Sequence, residues 1–316
     1  PDGISESLWQ RVNADPDSCS GARCRRRPDC HFLRARQQAA AAQLLVVNHH
    51  LLFADRAIRV DGPGFESTAV LPPFRHLVVD EAHNLENSAT SFLSERISRG
   101  SVARLCSRLL RHRRGRELGL LATLAATGSA QMEQARPLVD GLLSAAEDIN
   151  RFSLGIVPAG PGGIRLPIPA TSVIADELVP RLSVLRGKLR DLGDFLGTVR
   201  EGMDDAASPG YDELGLVIRR IGRLEAFVGS LRNYDDDSQA VYWTRRQDSG
   251  AGAQVEYNRT PLSIGPLVQQ SLVEPLDSIV FTSATLATDR GIAHWMKRSG
   301  LHLEEAVQAH FRAPLD

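Results

Sequence analysis

Three short, largely apolar runs each stop abruptly at polar residues, and they constrain this chain most. Leu44 to Val47 ends in Asn48-His49-His50, His76 to Val79 ends in Asp80-Glu81, and Ser278 to Phe281 ends in Thr282-Ser283. Runs without apolar/polar alternation suit strands buried on both faces, as in a parallel sheet flanked by helices. Ligands in open sheets of that class gather beyond the carboxyl ends of the strands. The fold class read from the sequence is therefore α/β, and the residues closing each run are the first candidates for function.

Between the second and third runs lies a long insertion, residues 90–262, read as mostly helical. Leu182, Leu185, Leu189, Leu192, Leu196 and Val199 recur at three- and four-residue spacing, a one-sided apolar stripe. Val217, Ile221, Leu224, Val228 and Leu231 repeat it, and the polar stretch from Glu201 to Gly210 lies between. This predicts a helical hairpin. A β-hairpin is expected next, AVYWTRR and QVEYNR around a loop at DSGAG. Ahead of the first run, residues 31–43 are rich in alanine and arginine and suit a helix.

Bulk properties bound the rest. The chain has 316 residues, 42% hydrophobic and 24% charged, with net charge −1. That length suits about two domains. Near-neutral charge means that any basic surface for nucleic acid must be local. No apolar run reaches the roughly 18 residues needed to span a bilayer, and no signal peptide opens the chain. The chain begins at Pro1 without methionine and stops after FRAPLD, so an internal segment of a longer protein is expected.

Two adjacent carboxylates at a strand end, Asp80 and Glu81, repel each other unless a cation is near. Magnesium takes oxygen ligands and keeps several waters. An acid after such a strand can hold that metal in nucleotide hydrolysis, and a neighbouring acid can orient the attacking water. Asp80 suits the first role and Glu81 the second. The bland alternative is a helix N-terminus, where acids are favoured by the macrodipole.

Cys19, Cys24 and Cys30 are spaced C-x4-C-x5-C among Arg23, Arg25, Arg26 and Arg27. A zinc site needs four ligands, and His31 or His49 could complete one. An iron–sulfur cluster needs four thiolates at family-dependent spacing. Spacing alone leaves both open. Cys106 lies within a helical pattern and reads as a small buried residue.

Asp80-Glu81-Ala82-His83 resembles, letter for letter, the DEAH box of superfamily 2 helicases. IVFTSATLA, Ile279 to Ala287, resembles helicase motif III, with Ser283 and Thr285 directed at the DEAH histidine. Taken with the cysteine spacing, HFLRARQQA and NHHLLFAD, the chain resembles the XPD/DinG family of iron–sulfur helicases, in its bacterial DinG/YoaA-like branch. The resemblance implies a RecA-like motor domain interrupted by an iron–sulfur segment and a helical arch. Residues 1–43 would end the iron–sulfur domain, 44–90 carry the motor strand and DEAH box, 91–262 form the arch, 263–291 return to the motor, and 292–316 begin a second motor domain.

By the same resemblance Cys19, Cys24 and Cys30 would be the last three ligands of a [4Fe-4S] cluster, with the first thiol preceding Pro1. Asp80 would bind Mg2+ and ATP, Glu81 would activate water, and His83 with Ser283 and Thr285 would couple hydrolysis to movement. Arg25, Arg26, Arg27, Phe32, Arg36, Asn48 and His49 would face DNA, with Tyr242 and Trp243 as further aromatic candidates. The implied activity is 5′-to-3′ translocation on single-stranded DNA and unwinding of forked DNA in repair or replication. The protein would be monomeric, cytoplasmic and nucleoid-associated, with no membrane contact and with replication or repair proteins as partners.

A phosphate loop requires Gly-x4-Gly-Lys-Ser/Thr. The only lysines are Lys188 and Lys297, and Gly187-Lys188 sits inside a helical stripe. These 316 residues alone are therefore expected not to hydrolyse ATP efficiently. The rival readings are a DNA-binding or regulatory protein that keeps the scaffold without the motor, and a zinc-containing DEAH ATPase.

Overall fold

The computed structural model describes residues 27–60, 64–113, 115–126, 128, 130–160, 162–203, 210–249, 252–286 and 291–301. Cys19, Cys24, Arg25 and Arg26 lie outside the described residues. In chain order the first elements are α1 (His31–Ala41), α2 (His49–Val60), β1 (His76–Val79), α3 (Leu85–Leu93), β2 (Glu95–Ser98) and α4 (Arg99–Leu109). Then come β3 (Arg111–Arg113), β4 (Arg116–Leu118), α5 (Leu120–Ala126), α6 (Met132–Ile156) and β5 (Ile164–Arg165). The remainder are α7 (Val179–Glu201), α8 (Tyr211–Arg232), β6 (Ala240–Ser249), β7 (Gly252–Pro261), α9 (Gly265–Val268), β8 (Ser278–Phe281) and α10 (Ala293–Ser299). The chain divides into two compact units, one running to Phe92 and resuming at Ser263, the other Leu93–Leu262.

In the first unit β1 and β8 pair in parallel, with His76 opposite Ser278 and Val79 opposite Phe281. The ladder continues past both strands: Val79 O accepts from Thr282 N, and Thr282 O accepts from Ala82 N, each at 2.9 Å. Equal register therefore brings the two polar ends level. Cover on both faces was expected for these strands. Instead Val78 and Val280, opposite each other, are 67% and 52% exposed, while Val79 is buried.

The first apolar run is not a strand. Leu44 to Val47 has no regular secondary structure and pairs with no strand among the described residues, and Leu44 and Val46 are 82% and 92% exposed. Asn48 and His49, expected at a strand's carboxyl end, instead start α2. Asn48 Oδ1 accepts from Leu51 N at 2.8 Å, the bond by which an Asn side chain satisfies an orphan donor at a helix start. The apolar residues beyond it, Leu52 and Phe53, are buried by α2.

The second unit holds the main core. The two predicted stripes form α7 and α8, and Leu182, Leu185, Leu189, Leu192, Leu196, Val199, Val217, Ile221, Val228 and Leu231 are all buried. Leu224 is half-buried against the same cluster. This unit also contains an antiparallel sheet of order β2-β7-β6-β5, which a mostly helical reading did not foresee in full. The hairpin β6–β7 runs further than AVYWTRR and QVEYNR, pairing as far as Ser249 with Gly252. The arginine-rich stretch from Arg108 is the end of α4 followed by the small hairpin β3–β4. Among the described residues no helix is long and apolar enough to cross a membrane.

Candidate functional site

The site lies beyond the carboxyl ends of β1 and β8, where equal register sets Asp80 beside Thr282. Thr282 Oγ1 donates to Asp80 Oδ1 at 2.7 Å, and Glu81 N donates to the same oxygen at 2.9 Å. The Thr282 hydroxyl first, then the Glu81 amide, hold the Asp80 carboxyl below the usual aspartate range. Asp80 is thus an exposed carboxylate with one oxygen anchored. Its Oδ2 has no protein partner among the described residues, which fits a cation that takes one carboxylate and completes its shell with water and phosphate.

Glu81 sits at φ 49°, ψ 45°, a left-handed conformation that among the described residues no other non-glycine residue has at positive φ. Such conformations cost on the order of 1–3 kcal/mol and concentrate at functional sites. Here the turn sends the chain from β1 into a short 3-10 segment, Ala82 to Asn84, closed by Asn84 N bonding Glu81 O at 2.9 Å. Ala82 and Leu85 are fully buried, while Asp80, Glu81 and His83 stay exposed.

His83 Nδ1 lies 2.8 Å from Ser283 Oγ and 3.2 Å from Glu81 Oε2. Thr285 joins through its backbone, its N donating to Ser283 Oγ at 3.3 Å. A chain of polar contacts therefore links Glu81, His83, Ser283 and Thr285 across the two strands. Helix α10 supports it from behind: Trp295 Nε1 donates to Ala82 O at 3.2 Å, and its ring meets Phe281 edge-on with centroids 5.3 Å apart. Arg298 on the same helix pairs with Glu86.

The other candidates are placed apart or differently. His49 Nε2 lies 3.1 Å from Asp80 O, so the first turn of α2 touches the strand end. Cys30 is a free, half-buried thiol at the N-terminus of α1, and Arg27 opens the turn before it. Phe32 is 52% exposed on α1, with the Arg36 guanidinium 5.8 Å from its ring centroid. Arg36 also donates to Ala69 O, so its guanidinium is already engaged. Among the described residues no three His, Cys, Asp or Glu side chains converge on a metal position. Cys106 is buried in the second unit, and desolvation pushes its thiol up to about 12. Tyr242 is buried, its hydroxyl donating to Asp237 at 2.8 Å, which removes it as an exposed platform.

Trp295 was not singled out from the sequence, and Thr282 was named only as a residue closing the third run. Thr282 was readable in principle, since it follows β8 as Asp80 follows β1. Trp295 carries no local signal, because its bond is to a backbone oxygen of a distant segment.

No family model matches the chain. It is similar over most of its length to "ATP-dependent DNA helicase YoaA" of Escherichia coli K12, 24% identical over 300 residues, 95% of this chain and 41% of that protein. It is similar to "ATP-dependent DNA helicase DinG" of Salmonella typhimurium at 26% over 324 residues, 94% of this chain and 42% of that protein. A shorter stretch is 32% identical over 136 residues to "ATP-dependent helicase DinG" of Mycobacterium tuberculosis H37Rv, 43% of this chain and 19% of that protein. The chain is DinG/YoaA-like. A DinG/YoaA-like chain of this length spans about two fifths of the relatives it matches end to end.

Proposed function

We propose that this chain is part of an ATP-dependent DNA helicase that couples ATP hydrolysis to 5′-to-3′ movement on single-stranded DNA and to duplex opening in repair or replication. The observation that carries the reading is the convergence of Asp80, Glu81, His83, Thr282 and Ser283 at one end of the parallel strands. Asp80, fixed by Thr282, is the carboxylate for Mg2+ bound with ATP, and the metal would neutralise phosphate charge. Glu81, exposed beside it, orients the attacking water and accepts its proton. His83 carries the position of Glu81 to Ser283 and Thr285, so that this segment follows the state of the nucleotide site.

In the same reading residues 1–43 belong to an iron–sulfur domain, 91–262 to an arch and 292–316 to a second motor domain. Cys19, Cys24 and Cys30 would be ligands of a [4Fe-4S] cluster. Their spacing and the DinG/YoaA likeness support this, and Cys30 is a free, half-buried thiol as a ligand requires. Arg25, Arg26, Arg27, Phe32 and Arg36 of that domain, with Asn48 and His49 just beyond it, would face DNA.

The decisive experiment is DNA-stimulated ATP hydrolysis by the whole protein with Glu81→Gln. Loss of a group that handles the water's proton should lower kcat by about 100-fold or more with little change in the KM for ATP. Unchanged turnover would remove Glu81 from the chemistry and favour a DNA-binding scaffold without a motor. Iron and acid-labile sulfide against zinc, assayed in anaerobically purified protein, decides the cysteine site.

A further inference from the structure

A strained backbone persists only where its surroundings over-determine it. The bonds on either side of Glu81 therefore identify what keeps it left-handed. Its own peptide groups are tied locally, the N–H to Asp80 Oδ1 and the carbonyl to Asn84 N, each at 2.9 Å. The next residue is tied from far along the chain. Ala82 is fully buried, and its N–H donates to Thr282 O at 2.9 Å. Its carbonyl accepts from Leu85 N and also from Trp295 Nε1, the latter at 3.2 Å.

The indole reaches Ala82 from a seated helix. Trp295 is half-buried with its ring edge-on to Phe281, Met296 beside it is buried, and Arg298 pairs with Glu86 of α3. The far end of α10 meets the start of α9 backbone to backbone. Gly300, at φ 77°, lies so close that a β-carbon there would sit 2.3 Å from the Gly265 α-carbon. Leu301 N closes the helix on Met296 O at 2.9 Å. The indole N–H is thus a donor fixed in place by packing, as a support for a reacting group must be.

Losing that donor would not orphan Ala82 O. A carbonyl has two lone pairs, and Leu85 N still occupies one. The indole bond therefore bears on where the turn sits more than on whether a buried acceptor is satisfied.

We propose that Trp295 is a positioning residue for Glu81. By holding the Ala82 carbonyl, it fixes the left-handed turn and aims the Glu81 carboxylate at the attacking water. A misplacement of about 1 Å can cost on the order of a hundredfold in rate, so a bond one residue away from the acid has leverage on turnover. The inference rests on the reading that Glu81 handles that water; it involves neither the cysteines nor any contact with DNA.

The test is a double-mutant cycle on DNA-stimulated ATP hydrolysis by the whole protein. Trp295→Phe keeps a ring against Phe281 and removes the N–H. It should lower kcat about tenfold with little change in the KM for ATP. The urea midpoint, followed by circular dichroism, should stay in place. In the Glu81→Gln background the same substitution should lower kcat no further, because residues acting through one another are not additive. Additive losses would mean that Trp295 works apart from Glu81 and would overturn the proposal. Unchanged turnover in Trp295→Phe, with Glu81→Gln impaired, would overturn it while leaving the role of Glu81 standing. Unchanged turnover in Glu81→Gln itself would remove both. Should the urea midpoint of Trp295→Phe fall, rates are taken per nucleotide site, titrated with a non-hydrolysable ATP analogue. Turnover per site equal to wild type would then overturn the proposal.

Discussion

Asp80 shares its oxygen Oδ1 with two donors, and the stronger of the two comes from the residue that follows β8. A carboxylate whose folded-state pKa is depressed stays charged at neutral pH, and whatever stability its anion contributes is present above the unfolded value and lost as pH falls through the folded one. Replacing Thr282 by Val removes the first cause and leaves the Glu81 amide. The Asp80 pKa should therefore rise toward the ordinary aspartate value in Thr282→Val, read by carboxyl carbon NMR titration. An unmoved titration would mean that the amide alone sets it. At this scale the sequence is partly legible. That His83 would meet Ser283 is readable from two motifs at two strand ends. The left-handed turn at Glu81 is not, because nothing in an Asp-Glu pair distinguishes a strained turn from a helix start.

Among elements, α2 shows both how a reading fails and what secures the result. LLVV has a strand's composition, but a strand is completed by partners, and the run finds none among the described residues. The Asn48 cap and the apolar residues after it fix the helix locally, whereas strand pairing needs a distant neighbour. The stripes of α7 and α8 are legible because helical periodicity is itself local. The strongest tie of α2 is polar. Arg59 and Asp55 are buried one turn apart and paired at 2.6 Å. Arg59 also donates to the carbonyls of Phe65, Leu71 and Pro72, and Asp55 Oδ1 accepts from Leu71 N at 2.8 Å. The pair staples α2 to the loop leading into β1. Asp55→Ala would leave a buried guanidinium uncompensated and should destabilise the first unit by about 3–5 kcal/mol. Urea unfolding followed through Trp295 measures it. A loss under about 1 kcal/mol would show that the carbonyls alone satisfy Arg59.

For the molecule as a whole, every residue of the large core cluster belongs to the unit Leu93–Leu262. The first unit builds around two parallel strands, with separate buried side chains such as Leu52, Val79 and Leu85. Two cores without shared members predict two unfolding transitions, since cooperativity follows contact within a domain. Leu189 lies fully buried on α7, and truncating it to Ala should cost the second unit about 2–5 kcal/mol through lost transfer energy and the cavity left behind. Trp243 and Trp295 fall in different units. With Trp9 and one of these replaced by Phe, the remaining indole reports one unit. Leu189→Ala should move the transition seen by Trp243 to lower denaturant and leave the one seen by Trp295 in place. Equal shifts at both indoles would mean that the units unfold as one body, and β1 and β8 would then draw their stability from the helical core.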